Sequence, residues 1–140
     1  MSTPTSPFTS MVITFNTGSD DKDGNTRLEI FIFTPPPGNP AVAYYDDGSN
    51  DHIDVATTKS FTVPAVAGGF QLQQLTTKAI LIKIAPVGHD TWRFQFSAVL
   101  YFADGTQVKV AQTGPIVLDQ DANQFIYPLT GATISSSTSV

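Results

Sequence analysis

Apolar and polar residues alternate with a period of two along much of this chain, the spacing of a pleated strand with one buried face. Met11, Ile13 and Phe15 alternate with Val12, Thr14 and Asn16. In the next run Leu28, Ile30 and Ile32 share one face, with Glu29, Phe31 and Phe33 on the other. Two phenylalanines make that second face apolar as well, which predicts a central strand. Shorter runs follow at Ala41 to Tyr45 and Lys59 to Val63, then a clear strand at Ala79 to Ala85 with Ile80, Ile82 and Ile84 in phase. The longest run sets Trp92, Phe94, Phe96, Ala98, Leu100 and Phe102 on one side and Arg93, Gln95, Ser97, Val99 and Tyr101 on the other. Thr106 to Gln112, Ile116 to Leu118 and Gln124 to Leu129 complete the set.

Turn chemistry separates these runs. Thr34-Pro35-Pro36-Pro37-Gly38-Asn39-Pro40 cannot continue a ladder, because proline has no N–H to donate. Ala103-Asp104-Gly105 predicts a hairpin, since Asp-Gly tolerates the positive φ of a tight turn. Gly68-Gly69 opens a segment, Phe70 to Thr77, that reads as a helical turn or as irregular structure. About eight strands predict an all-β, two-sheet antiparallel sandwich spanning residues 11–131. Met1 to Ser10 and Ala132 to Val140, small and polar, read as flexible tails.

Composition agrees with that class. Of twelve acidic residues only Glu29 is a glutamate, and aspartate suits turns where glutamate suits helices. At 140 residues the chain is long enough for one core and short for two domains. A net charge of −5 with seven scattered cations excludes a nucleic-acid backbone as partner. With no cysteine there are no disulfides, no thiolate zinc site and no thiol catalysis. The N-terminus lacks the basic and apolar regions of a signal peptide, and no stretch is apolar for long enough to form a spanning helix. Cytoplasmic residence, or export by an unconventional route, is the expectation.

Candidate chemistry gathers in two acidic loops. Asp20, Asp21 and Asp23 lie within four positions, followed by Asn25, between two predicted strands. Such carboxylates repel one another unless water or a cation compensates, and closely spaced oxygens suit a hard ion such as Ca²⁺. The spacing Asp21-x-Asp23-x-Asn25 starts like an EF-hand but continues with Thr26 in place of the turn glycine and Ile32 in place of the bidentate glutamate. An EF-hand is thereby rejected, and a loop site of another geometry competes with an ordinary solvated turn. The second loop, Tyr44 to Asp54, carries Asp46, Asp47, Asp51, Asp54, His52 and two tyrosines. It reads as further ion ligands, as a sugar-binding edge beside an aromatic platform, or as a hydrophilic connection. Asp90, just before Trp92, is a further ligand if the loops converge. Trp92 itself reads as a core anchor or as part of a platform.

Catalysis finds little support. His52 and His89 are the only histidines, no serine lies in a nucleophile elbow, and there is no H-E-x-x-H pair. The aspartates occupy loops without the apolar surroundings that raise a carboxylic acid's pKa. No catalytic residue is assigned and the chain is read as a non-enzyme.

Thr17-Gly18, the acidic segment, Gly24-Asn25-Thr26 and Asp90-Thr91-Trp92 resemble motifs of C2-like domains of the PLAT/LH2 type and their bacterial relatives. The resemblance implies calcium at sandwich-tip loops and recognition of membrane, protein or glycan surfaces. The leading expectation is a non-enzymatic, calcium-dependent binding module, with Asp20, Asp21, Asp23, Asn25 and Asp90 as metal ligands. Tyr44, Tyr45, Asp46, Asp47 and Trp92 are the expected ligand-contacting residues. The alternatives are a metal-free lectin stacking Tyr44, Tyr45 and Trp92 on sugar rings, and a structural sandwich that self-associates into oligomers.

Overall fold

Strand pairing begins at Phe8, three residues before the alternation becomes visible in the sequence. The structure, a computed structural model, describes residues 6–18, 26–36, 39–46, 57–66, 69–85, 91–131 and 133–136. Among these residues nine strands occur: β1 (Phe8–Thr17), β2 (Arg27–Phe33), β3 (Ala41–Asp46), β4 (Thr58–Pro64), β5 (Ala79–Ala85), β6 (Trp92–Phe102), β7 (Thr106–Leu118), β8 (Gln124–Pro128) and β9 (Thr133–Ser136). Short 3-10 helices lie at Leu72–Thr77 and Leu129–Gly131. One sheet has the order β4-β1-β6-β7-β9 and the other β3-β2-β5-β8. Every pairing is antiparallel. The all-β class and the central place of β2 are as the pattern predicts.

The alternating sets bury as expected. Met11, Ile13 and Phe15 from β1 join Trp92, Phe94, Phe96 and Leu100 from β6 in one cluster with Leu28, Ile30 and Ile32 from β2 and Ile80, Ile82 and Ile84 from β5. Aromatic rings link the two sheets: Phe96 meets Phe125 and Tyr127 at centroid distances of 6.4 and 5.6 Å, and Tyr45 meets Phe61 at 5.3 Å. Two antiparallel sheets sharing one hydrophobic cluster constitute a β-sandwich-like architecture.

Three boundaries differ from the sequence expectation. The predicted N-terminal tail contributes Phe8, buried against Phe70 with ring centroids 4.9 Å apart, and its N–H bonds the Phe70 carbonyl at 2.8 Å. The predicted C-terminal tail contributes β9, which pairs with the first four residues of β7. Thr106 to Gln112 and Ile116 to Leu118 form one strand, interrupted by a bulge where Thr113, Gly114 and Pro115 stand opposite Gln95 alone. The extra residues hide the continuity of β7 from a period-two reading.

The Asp-Gly hairpin forms as its residues demand. Gly105 takes φ +91°, and the Asp104 carboxylate accepts the Thr106 N–H at 2.9 Å. That bond holds the Asp104 carboxyl below its ordinary pKa. After Phe33 the chain leaves its sheet through the cis Pro35–Pro36 peptide.

Candidate functional site on the exposed face of the four-stranded sheet

The register of β3, β2, β5 and β8 lines up residues that are far apart in sequence. Tyr44 pairs with Phe31, Phe31 with Leu81, and Leu81 with Ile126, so one apolar row crosses all four strands. Parallel to it runs a polar row, in which Asp46 pairs with Glu29, Glu29 with Lys83, and Lys83 with Gln124. Because the pleat alternates, these residues point away from the face that carries Leu28, Ile30, Ile82 and Ile84 into the core. The four apolar residues are half-buried, neither enclosed in the core nor fully in solvent.

At one end of the rows the side chains lock together. Arg27 donates from Nε to Asp46 Oδ1 at 2.9 Å and from its terminal nitrogen to Asp46 Oδ2, the fork geometry that suits guanidinium and carboxylate. The same nitrogen lies 3.9 Å from Glu29 Oε2. Tyr44 donates its hydroxyl to Glu29 Oε2 at 2.8 Å, and its ring lies 4.9 Å from that of Phe31. Partial desolvation, then the hydrogen bond and charge of Glu29, push the Tyr44 phenol up to about 12. Asp46 raises the Arg27 guanidinium further above its already high value. The Arg27 side chain is 45% exposed, so water screens the ion pair and its role is positional.

The expected ligand-binding residues separate in this arrangement. Tyr44 and Asp46 stand on the exposed face of β3. Tyr45, one residue between them, turns inward and packs on the core. A paired Tyr44–Tyr45 platform is therefore excluded by the pleat. Trp92 belongs to the other sheet and is fully buried, stacked on Phe94 at 3.9 Å. Its indole N–H donates to the buried Thr17 hydroxyl at 3.0 Å, while Gly18 N–H bonds the Arg93 carbonyl at 2.8 Å. Thus Thr17-Gly18 and Trp92, two of the motifs behind the C2-like resemblance, meet as a structural contact that closes the end of β1 onto β6. Asp47 lies outside the described residues.

The calcium expectation is corrected. Among the described residues no group of three or more His, Cys, Asp or Glu side chains is placed to hold a metal ion. Glu29 and Asp46, paired across β2 and β3, share the guanidinium of Arg27, which sets a positive charge beside both carboxylates. Calcium-binding, metal-binding and C2-like are thus not descriptions that this structure supports. Asp20, Asp21, Asp23, Asn25 and Asp90 lie outside the described residues, as do His52 and His89.

Sequence reasoning placed Lys83 opposite the buried isoleucines of its strand but missed Arg27, Phe31, Leu81 and Ile126 as surface groups. The available signal was an apolar residue in phase with charged ones, Phe31 beside Glu29 and Leu81 beside Lys83, but which strands lie side by side is not written in any one of them. A concavity of about 250 Å³ opens beside the β7 bulge between Asn16, Gly18, Arg93, Gln95 and Pro115. Arg93 and Gln95 there are already engaged in other interactions. No helix among the described residues is long and apolar enough to cross a membrane. No protein-family model, curated protein or solved structure matches this chain significantly, so the resemblance to C2-like domains extends to an all-β chain with two antiparallel sheets and no further.

Proposed function

We propose that this chain is a non-catalytic binding module on a β-sandwich, and that its recognition surface is the exposed face of the four-stranded sheet. The observation that supports this most is the in-register row Tyr44–Phe31–Leu81–Ile126, four half-buried residues with apolar bodies on the outer face of a sheet whose other face packs into the core. Alternation alone would place polar residues at all four positions. A non-catalytic role accords with the chemistry of the flanking groups. General acid–base work needs a pKa near the operating pH, whereas Tyr44 and Arg27 are both moved away from neutrality.

The test is to screen immobilised glycan and protein arrays with the wild-type chain and with a Phe31→Thr/Leu81→Thr double variant. Threonine keeps strand propensity while removing the apolar row. A ligand retained by the wild type and lost by the folded variant is the expected result. Equal binding by both proteins would place recognition elsewhere.

A further inference from the structure

We infer that the partner of this face is a second copy of this chain, packed face to face about a two-fold axis, an assignment that rests on the recognition surface proposed above. The face is broad enough for a protein. Beside the row Tyr44–Phe31–Leu81–Ile126, the register continues on the same face with Ala41 paired to Phe33, Phe33 to Ala79 and Ala79 to Pro128. Phe33 and Ala79 are already buried, so that row bounds the contact and adds no new area. The contact itself is the apolar row together with the polar row Asp46–Glu29–Lys83–Gln124. An apolar centre flanked by polar groups is the common anatomy of a protein–protein interface.

What selects a second copy is the order of residues across the sheet. The strands run β3-β2-β5-β8. A two-fold axis between β2 and β5, close to the strand direction, lays β2 of one copy over β5 of the other and β3 over β8. Residues keep their level under that rotation. Phe31 then meets the partner's Leu81, and Tyr44 meets the partner's Ile126, a ring against a branched aliphatic chain each time. On the level of the polar row Glu29 meets the partner's Lys83 and Asp46 meets the partner's Gln124. Every contact occurs twice, as an isologous interface requires. Aligned sheets pack in this manner about 10 Å apart, with strands within about 30° of one another.

Charge follows the same symmetry. Lys83 stands in register with Glu29 of its own chain, yet among the described residues it makes no ion pair. Glu29 instead accepts the Tyr44 hydroxyl and lies beside Arg27. A carboxylate offers about four acceptor positions, so Glu29 keeps room for the partner's ammonium. The face is balanced, with Asp46 and Glu29 set against Arg27 and Lys83, in a chain whose net charge is −5. Two copies therefore meet here without opposing like charges, whereas a polyanion or a polycation would find half of these groups repulsive. The two rows span three interstrand spacings, about 14 Å, and cover less than the ~800 Å² per partner of a standard interface, which predicts a reversible dimer.

The experiment is sedimentation velocity on the full chain from about 10 μM to about 1 mM, the range in which an interface of this size dissociates. A monomer–dimer equilibrium is the expected result. Leu81→Thr and Lys83→Glu, at half-buried positions outside the core, should each weaken it about tenfold or more. The Glu29→Lys variant should dimerise as poorly as the Lys83→Glu variant. An equal mixture of those two should form a heterodimer, because each supplies the charge that the other needs. A chain that stays monomeric at the highest concentration would overturn the second-copy assignment. Array binding of a glycan or foreign protein, lost in Phe31→Thr/Leu81→Thr, would then leave the recognition surface standing with that partner instead. A monomer that also binds nothing on the arrays would overturn both readings. Self-association that ignores Leu81→Thr and shows no recovery in the mixture would overturn this interface and place the contact elsewhere.

Discussion

Tyr44 and Trp92 show how differently two aromatic residues are used. Tyr44 keeps its hydroxyl on Glu29 at the sheet surface, and its phenol is raised to about 12 from an ordinary value of 10.0. Between those two pH values the unfolded chain loses this proton and the folded chain keeps it. The group's contribution to stability is therefore fully present below about pH 10 and is lost as pH rises towards 12. Spectrophotometric titration should show a late-ionising phenol that disappears in Tyr44→Phe. Were Tyr44→Phe to leave the late end of the titration unchanged, the Glu29 contact would not persist in solution. Trp92 belongs entirely to the core. As the single tryptophan it should give blue-shifted fluorescence that resists external quenchers. Thr17→Val removes the acceptor of its indole N–H and leaves a buried donor unpaired, at an expected cost of about 1–3 kcal/mol in chemical denaturation.

β2 and β5 carry both the core and the proposed site, on opposite faces of the same backbone. Ile30 and Ile82, partners across these strands, are fully buried, while Phe31 and Leu81, the next pair, are half-buried on the other side. Substitution should separate the two roles. Ile30→Ala or Ile82→Ala should cost about 2–5 kcal/mol of folding stability, through lost transfer energy and the cavity left behind. Leu81→Thr should cost no more than about 1.5 kcal/mol, because it puts a β-branched, strand-favouring residue at a partly solvated position and opens no core cavity. Comparable losses at Ile82 and Leu81 would mean that the outer face is covered in the native state, and the row would then not be available to a ligand. The pattern of these strands made the inward sets legible at once. It left Phe31 and Leu81 ambiguous, since a phenylalanine in phase with a glutamate marks either a second buried face or a binding surface.

The whole molecule is built from pairings between distant segments. β1 pairs with β4 and β6, β2 with β5, and β5 with β8, so most of the sheet closes only after long loops have been brought together. Chains of this topology refold in about milliseconds to seconds, since loop closure precedes the contacts that reward it. A stopped-flow refolding trace complete within microseconds would contradict the strand order. At this scale, too, the reach of sequence reading is clear. Period-two alternation in Met11 to Phe15, Leu28 to Ile32, Ile80 to Ile84 and Trp92 to Phe102 determined by itself which side chains enter the core, because burying one face of a pleat is a local constraint. The Asp104-Gly105 turn was likewise local, set by the positive φ that glycine tolerates. Only the tertiary structure decided that Phe8 and Thr133–Ser136 belong to sheets, because Phe8 extends β1 through its pairing with Phe102 and the edge strand β9 is held by β7, partners far along the chain. It also decided that Tyr44 and Tyr45 point apart, that Trp92 is sealed in the core on Thr17, and that Arg27 forks onto Asp46 beside Glu29. The row from Tyr44 to Ile126 exists solely through register. Four residues separated by up to 95 positions become neighbours when interstrand hydrogen bonds align them, and no segment of the sequence contains that alignment.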